Sequence, residues 1–208
     1  MPNWCSNHVT VRGTDPVEIE RLSQAFADGK FCNAVRPIPE ELNNPDTGSF
    51  GGDNAEDKVQ LRAELVAKYG YSGWYDWCVA NWGTKWDIGD DSNLELDEDG
   101  LGFSGSFDSA WAPPIGVMEA LTEQGFEVTL YYYEPGMGFC GKWQDGDDEY
   151  IEYTDENSET VRAAIGDELD DMFGISESMA DYEAENEEEE EELTEWIKEG
   201  IESKNENT

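Results

Sequence analysis

The chain has 208 residues, 50 Asp+Glu against 12 Lys+Arg, and a formal net charge of −38 at pH 7. That balance excludes direct binding to nucleic acid or to an anionic membrane surface as its main work, because both are polyanions. Aromatic residues make up 12% of the chain, a supply of buried rings that excludes full disorder.

The elements read as follows along the chain. Ser6 to Arg12 alternates, with Asn7, Val9 and Val11 on one side, and predicts a strand. Asp15-Pro16-Val17-Glu18 predicts a helix start, with Asp15 as N-cap and Pro16 in the first turn. Ile19, Leu22 and Phe26 give that helix its apolar face, and Gly29 closes it. Residues 30–54 are rich in Pro, Gly and Asn and read as a loop. Ala55 to Lys68 predicts a second helix with Val59, Leu61 and Leu65 among its apolar positions. Gly73 to Asn81 predicts a third, carrying Trp74, Trp77 and Cys78. Thr84 to Ile88 reads as a short strand, and Leu101 to Phe107 as a cleaner one, with Leu101, Phe103 and Phe107 on one face. Pro113-Pro114 opens a helix through Ile115, Met118 and Leu121. Phe126 to Tyr133 alternates as a strand, and 139–143 and 149–153 form a hairpin across Asp145-Gly146. Without the insertion at about residues 30–83, the order is βαββαβ, an α+β sandwich with helices on one face of a mostly antiparallel sheet.

The chain divides in composition after Lys142. Residues 1–142 hold 24 acidic and 9 basic residues; residues 143–208 hold 26 and 3. A packed domain over 1–155 and an acidic, helical or partly disordered extension over 156–208 follow from this shift. Met1-Pro2-Asn3-Trp4-Cys5 has neither a basic stretch nor an apolar core, and no apolar run approaches the ~20 residues of a membrane helix. A cytoplasmic location in a host bacterial cell, with reduced cysteines, is the expectation.

Three segments resemble chemical motifs. Gly136 to Lys142 fits both GxGxxG and GxxxxGK, yet Trp143 stands where a phosphate loop needs Ser or Thr, and an anionic turn follows instead of a helix. Asp145, Asp147 and Glu149 alternate like calcium-loop ligands, with Glu156 at the twelfth position, but Tyr150 replaces the required glycine. Asp87, Asp90 and Asp91 form a second acidic group. Cys5, Cys32, Cys78 and Cys140 lack short ligand spacing, and His8, on a strand, reads as structural. No catalytic residue, cofactor or metal ligand is therefore assigned. Trp74, Trp77, Trp82 and Trp86 fall close together, and read either as core or as an interface patch. Stacking of single-stranded RNA on them is opposed by the scarcity of Lys and Arg nearby.

Met1 to Asn7, Trp74 to Asp87, Phe107 to Pro114 and Tyr133 to Phe139 together resemble the YubB-like ferredoxin-like domain family of phage and plasmid proteins. The resemblance covers about residues 1–145 and leaves the acidic tail outside. It implies a ferredoxin-like fold and an origin on a mobile genetic element, with no established activity; the name describes topology, not an iron–sulfur cluster.

In the tail, Ser158 to Phe173 predicts a helix. From Ile175, the positions Met179, Tyr182, Asn186, Glu189, Leu193, Trp196 and Gly200 follow a heptad seam broken by polar residues. Residues 176–202 hold 13 acidic residues and one basic residue. As a helix rising ~1.5 Å per residue, they carry about one charge per 3.4 Å, close to the spacing along one DNA strand. Glu183, the run Glu187, Glu188, Glu189, Glu190, Glu191 and Glu192, and Trp196 are the candidate partner-binding residues, with the four tryptophans above. The expected function is non-enzymatic: an acidic mimic of DNA that occupies the basic surface of a host protein, such as a defence nuclease or DNA-binding protein. A solvating appendage, or an adaptor using Trp196, Ile197 and Ile201, is the other use of the tail. An enzyme, or a nucleotide- or metal-binding protein built on 136–142 or the acidic clusters, is the alternative class.

Overall fold

Alternation of side chains makes Trp4–Arg12 strand β1, with Cys5, Asn7, Val9 and Val11 all buried on one face. The computed structural model describes residues 3–43, 55–90 and 93–205, with side chains throughout except at 55–58, 191, 195 and 197–205. Helix α1, Pro16–Ala27, starts where the Asp15 carboxylate accepts the Val17 N–H at 2.9 Å. Part of the expected loop after it is a short helix, α2, Phe31–Val35; residues 44–54 lie outside the described residues. Helices α3, Ala55–Tyr69, and α4, Trp74–Trp82, stand where the apolar spacing placed them. Leu65 of α3 is buried, whereas Val59 is exposed.

The expected strand at Thr84–Ile88 is not formed. Its side chains have other partners: the Thr84 hydroxyl bonds both the N–H and the C=O of Ala110, at 3.0 and 3.1 Å. Asp87 accepts backbone N–H groups from Cys32 at 2.7 Å and Ile88 at 3.0 Å. The second strand of the βαββαβ unit is instead β2, Leu94–Leu96. Strand β3, Gly102–Ala110, helix α5, Ile115–Glu123, and strand β4, Glu127–Glu134, complete the unit. Strands β5, Phe139–Gln144, and β6, Asp147–Glu152, add a hairpin whose Asp145-Gly146 turn has positive φ at both residues, 50° and 105°.

The sheet order is β2-β3-β1-β4-β5-β6. Strand β1 runs antiparallel to β3 (Trp4 opposite Ala110) and to β4 (Ser6 opposite Tyr133). Strands β3 and β2, and β4 and β5, are likewise antiparallel. The fold is α+β and ferredoxin-like, as the element order implied. Phe26 of α1 anchors the core: its ring meets Phe31, Phe103 and Phe107 at centroid distances of 5.6, 5.9 and 5.8 Å. Helix α5 lies so close to the end of α4 that a Cβ on Gly116 would fall 2.3 Å from the Asn81 carbonyl.

Two compact units divide the chain, Met1–Tyr150 and Ile151–Thr208. In the second, the single helix expected over 158–173 is broken into α6, Val161–Ile165, and α7, Asp167–Phe173, by Gly166 at φ 87°. Helix α8, Ile175–Asn205, follows. One cation gathers the acidic turn: the Arg162 guanidinium donates to Asp167, Asp170 and Asp171 at 2.7, 2.8 and 2.8 Å. Asp170 is buried and also accepts the Ser176 N–H and hydroxyl, both at 2.7 Å, at the start of α8. Burial pushes its pKa up, but the Ser176 hydrogen bonds and Arg162 outweigh burial and hold the carboxyl below its ordinary value. A depressed folded pKa stabilises the fold above the unfolded-state value and ceases to do so as pH falls through the folded one. Asp170→Asn is therefore expected to cost about 2 kcal/mol at neutral pH in urea unfolding. The gap to the parent is expected to close as pH drops below about 4.

Candidate functional site

Two surfaces carry the candidate residues, one in each unit. In the first unit the tryptophan group separates by environment. Trp77 and Trp82 are core, not surface: both are buried, their rings meet edge-on at 5.7 Å, and the Trp82 indole N–H donates to the Arg36 carbonyl at 2.8 Å. Trp74 is partly buried and packs against the core. Trp86 faces out.

Trp86 has partners that lie far away in the chain. Trp4 starts β1 opposite Ala110, and the next residue, Trp111, donates its N–H to the Asn3 carbonyl at 2.9 Å. The Thr84–Ala110 hydrogen bonds hold the segment bearing Lys85 and Trp86 to the same strand end. Asp87 fixes the next residue against the N-terminus of α2; its pKa is raised by burial, against the pull of the backbone N–H groups it accepts. Helix α4 supplies Tyr75. Trp4, Tyr75, Trp86 and Trp111 thus form one cluster while remaining 46, 41, 40 and 40% exposed. Trp4 meets Trp86 at 5.8 Å, and Tyr75 meets Trp111 at 6.3 Å. The Lys85 ammonium lies 4.4, 5.3 and 5.8 Å from the ring centroids of Trp86, Trp111 and Tyr75. Trp111 takes φ 74°, a left-handed conformation that costs a bulky residue about 1–2 kcal/mol.

The second surface is the outer part of α8. Ile175 is buried and Met179 partly so, but Tyr182 is exposed, and so is every position from 184 to 190. Glu187, Glu188, Glu189, Glu190 and Glu192 all face solvent; the Glu191 side chain lies outside the described ones. Leu193 is exposed and Trp196 is 71% exposed, both on the side of the helix that Tyr182 occupies. Glu183 differs from its neighbours. It accepts the N–H and hydroxyl of Ser158, and these bonds lower its pKa. It joins the start of the second unit to α8 and is already engaged within the chain.

The chemical motifs resolve into ordinary structure. The N–H groups of Gly136 and Met137 point at the buried carboxylate of Glu134, so the donors of the glycine loop hold an anion of the chain itself. Asp145, Asp147 and Glu149 belong to the β5–β6 hairpin, not to a helix-flanked loop. Among the described residues, no group of three or more His, Cys, Asp or Glu side chains comes together to hold a metal. Asp91, from the acidic group with Asp87 and Asp90, lies outside the described residues. All four cysteines are free and buried. Burial pushes the thiols of Cys5 and Cys78 up to about 12 and that of Cys140 to about 11, which suppresses the nucleophilic thiolate. His8 bonds Ser106 across the β1–β3 pair at 2.9 Å. Among the described residues, no helix is long and apolar enough to cross a membrane.

The topology defines a ferredoxin-like domain extended by an antiparallel hairpin. The family model for the ferredoxin-like domain in Api92-like protein matches residues 81–198, more than half of the chain, and the chain belongs to that family. The match runs into α8 as far as residue 198, well past residue 145, where the motif resemblance stops; most of the acidic helix therefore lies inside the family's span. The crystal structure of a protein api92 from Yersinia pseudotuberculosis is similar over 74% of this chain and 98% of its own, at 15% identity and a TM-score of 0.40. No curated protein matches the chain.

Like charges spaced four apart on α8, such as Glu185 with Glu189 and Glu188 with Glu192, each oppose the helix by about 0.2–0.5 kcal/mol. Helical circular dichroism of the full chain is therefore expected to rise between about 0.01 M and about 1 M salt. Replacing Glu187–Glu192 with Gln is expected to abolish most of that rise.

Proposed function

We propose that the protein is a non-enzymatic acidic interaction protein, which occupies the basic, nucleic-acid-binding surface of a host protein. The observation that carries this reading is the outer part of α8, where a run of glutamates is exposed on a continuous helix. A helix fixes the spacing of its charges, whereas a disordered tail does not, and fixed charge is what a DNA-binding groove recognises. The 31 residues of α8 extend about 46 Å, the length of more than one turn of duplex DNA.

The chemistry elsewhere supports the same class. The glycine loop is filled by Glu134, and the thiols are buried and protonated. The resemblance to YubB-like proteins of phages and plasmids suggests a mobile genetic element as the source. For such an element a defence nuclease, or a DNA-binding regulator of the host cytoplasm, is the natural target. Tyr182, Leu193 and Trp196 then supply apolar contact beside the charge, as interface cores require.

The test is affinity capture on the immobilised full chain from bacterial host lysate, followed by elution with duplex DNA and with rising salt. Retained proteins are expected to be basic DNA-binding proteins, released by both treatments. Retention of nothing basic, or retention indifferent to salt and DNA, would contradict the reading.

A further inference from the structure

We propose that the cluster of Trp4, Tyr75, Trp86 and Trp111 is a second contact surface, which receives an arginine side chain of the basic partner in the place Lys85 now holds. This rests on the reading of the protein as a binder of basic surfaces, and it names the side chain taken and the residues that take it.

Three observations carry it. First, four large aromatics stand together at about two-fifths exposure. A contiguous exposed aromatic patch marks an interaction site, and Trp, Tyr and Arg are the residues that dominate such contacts. Second, the rings already have cation-receiving geometry. The Lys85 ammonium lies within 6 Å of three ring centroids, the range in which the negative ring face attracts a cation. Third, the chain has 50 carboxylates, yet among the described residues Lys85 has no ion pair. Its charge rests on the rings.

A lysine on a flexible stem can leave such a place, because its ammonium is readily hydrated. A guanidinium is planar and more weakly hydrated, and it stacks on indole faces where an ammonium only approaches them. A basic nucleic-acid-binding surface is rich in that group. The net charge of −38 draws the partner in from a distance, and the rings then give the contact its short-range, less salt-sensitive part. Thr84, Asp87 and the Asn3–Trp111 hydrogen bond hold the rings in position before any partner arrives.

The experiment follows indole N–H signals of the full chain by nuclear magnetic resonance during titration with a hexa-arginine peptide, with a polyproline peptide as the uncharged comparison. Trp82 reports that the fold is intact, and Trp196 reports on α8. The Trp86 and Trp111 signals are expected to shift to saturation with hexa-arginine and not with polyproline. Lys85→Met removes the competitor and is expected to tighten this binding about two- to fivefold. Trp86→Ala is expected to abolish the Trp111 shift while leaving the Trp82 signal in place. If only Trp196 responds, the acidic-helix reading survives and this proposal falls. If Trp86 and Trp111 respond without Trp196, the cluster stands and the acidic helix loses its role. If none responds, both fall. A cluster that responds to polyproline alone, or an affinity that Lys85→Met leaves unchanged, also overturns the proposal.

Discussion

Mutual repulsion among fifty carboxylates, with twelve cations to set against them, is the constraint that organises this molecule. The first unit holds 28 acidic and 9 basic residues, the second 22 and 3. In the first unit some cations sit on acidic partners: Arg12 bridges Asp97 and Asp99 beside the β2–β3 turn, Arg21 meets Glu18, and Lys68 meets Glu41. In the second unit, Arg162 binds three aspartates at once and brings α6, α7 and the first turn of α8 together. The remaining acidic residues have no comparable number of cations to meet. On α8 the described glutamates from 185 to 190 and Glu192 radiate into solvent around one axis, which leaves their negative field intact.

Buried and half-buried carboxylates also draw on the backbone. Glu134, Asp87 and Asp170 are each met by backbone N–H groups at a turn or a helix start. For Glu134 and Asp87 the positive ends of backbone dipoles take the place of a lysine or arginine, whereas Asp170 has Arg162 as well. The glycine loop is the clearest case. Its amide groups do point at an anion, and the anion is the side chain two residues before Gly136.

Much of the fold was legible because periodicity survived the charge. The alternation of β1, β3 and β4, and the Asp15 cap with its apolar face behind it, are local signals, and local signals suffice for them. Leu94–Leu96 was not legible, because three residues flanked by acids show no period. Thr84–Ile88 misled because its alternation serves side-chain hydrogen bonds, not a ladder. The break at Gly166 was hidden by the apolar spacing of Val161, Ile165 and Leu169, which continues across it.

The candidate sites divide the same way. The acidic run is a property of consecutive residues, so sequence alone locates it. Tryptophans 74 to 86 are close in sequence, but helix α4 turns two of them inward, and proximity along the chain is no guide to a shared face. The ring cluster is assembled by the sheet, which brings Trp4 beside Trp111. The available signal was that Trp4, Trp86 and Trp111 each lie in a segment carrying the family resemblance.

The proposed function requires that negative charge in fixed positions on α8 govern association with a basic protein. The direct measurement is the slope of log Kd against log salt concentration for a captured DNA-binding partner, taken for the parent chain and for the chain with Glu187–Glu192 replaced by Gln. A steep slope is expected for the parent and a markedly shallower one for the variant. Equal slopes for the two would contradict it.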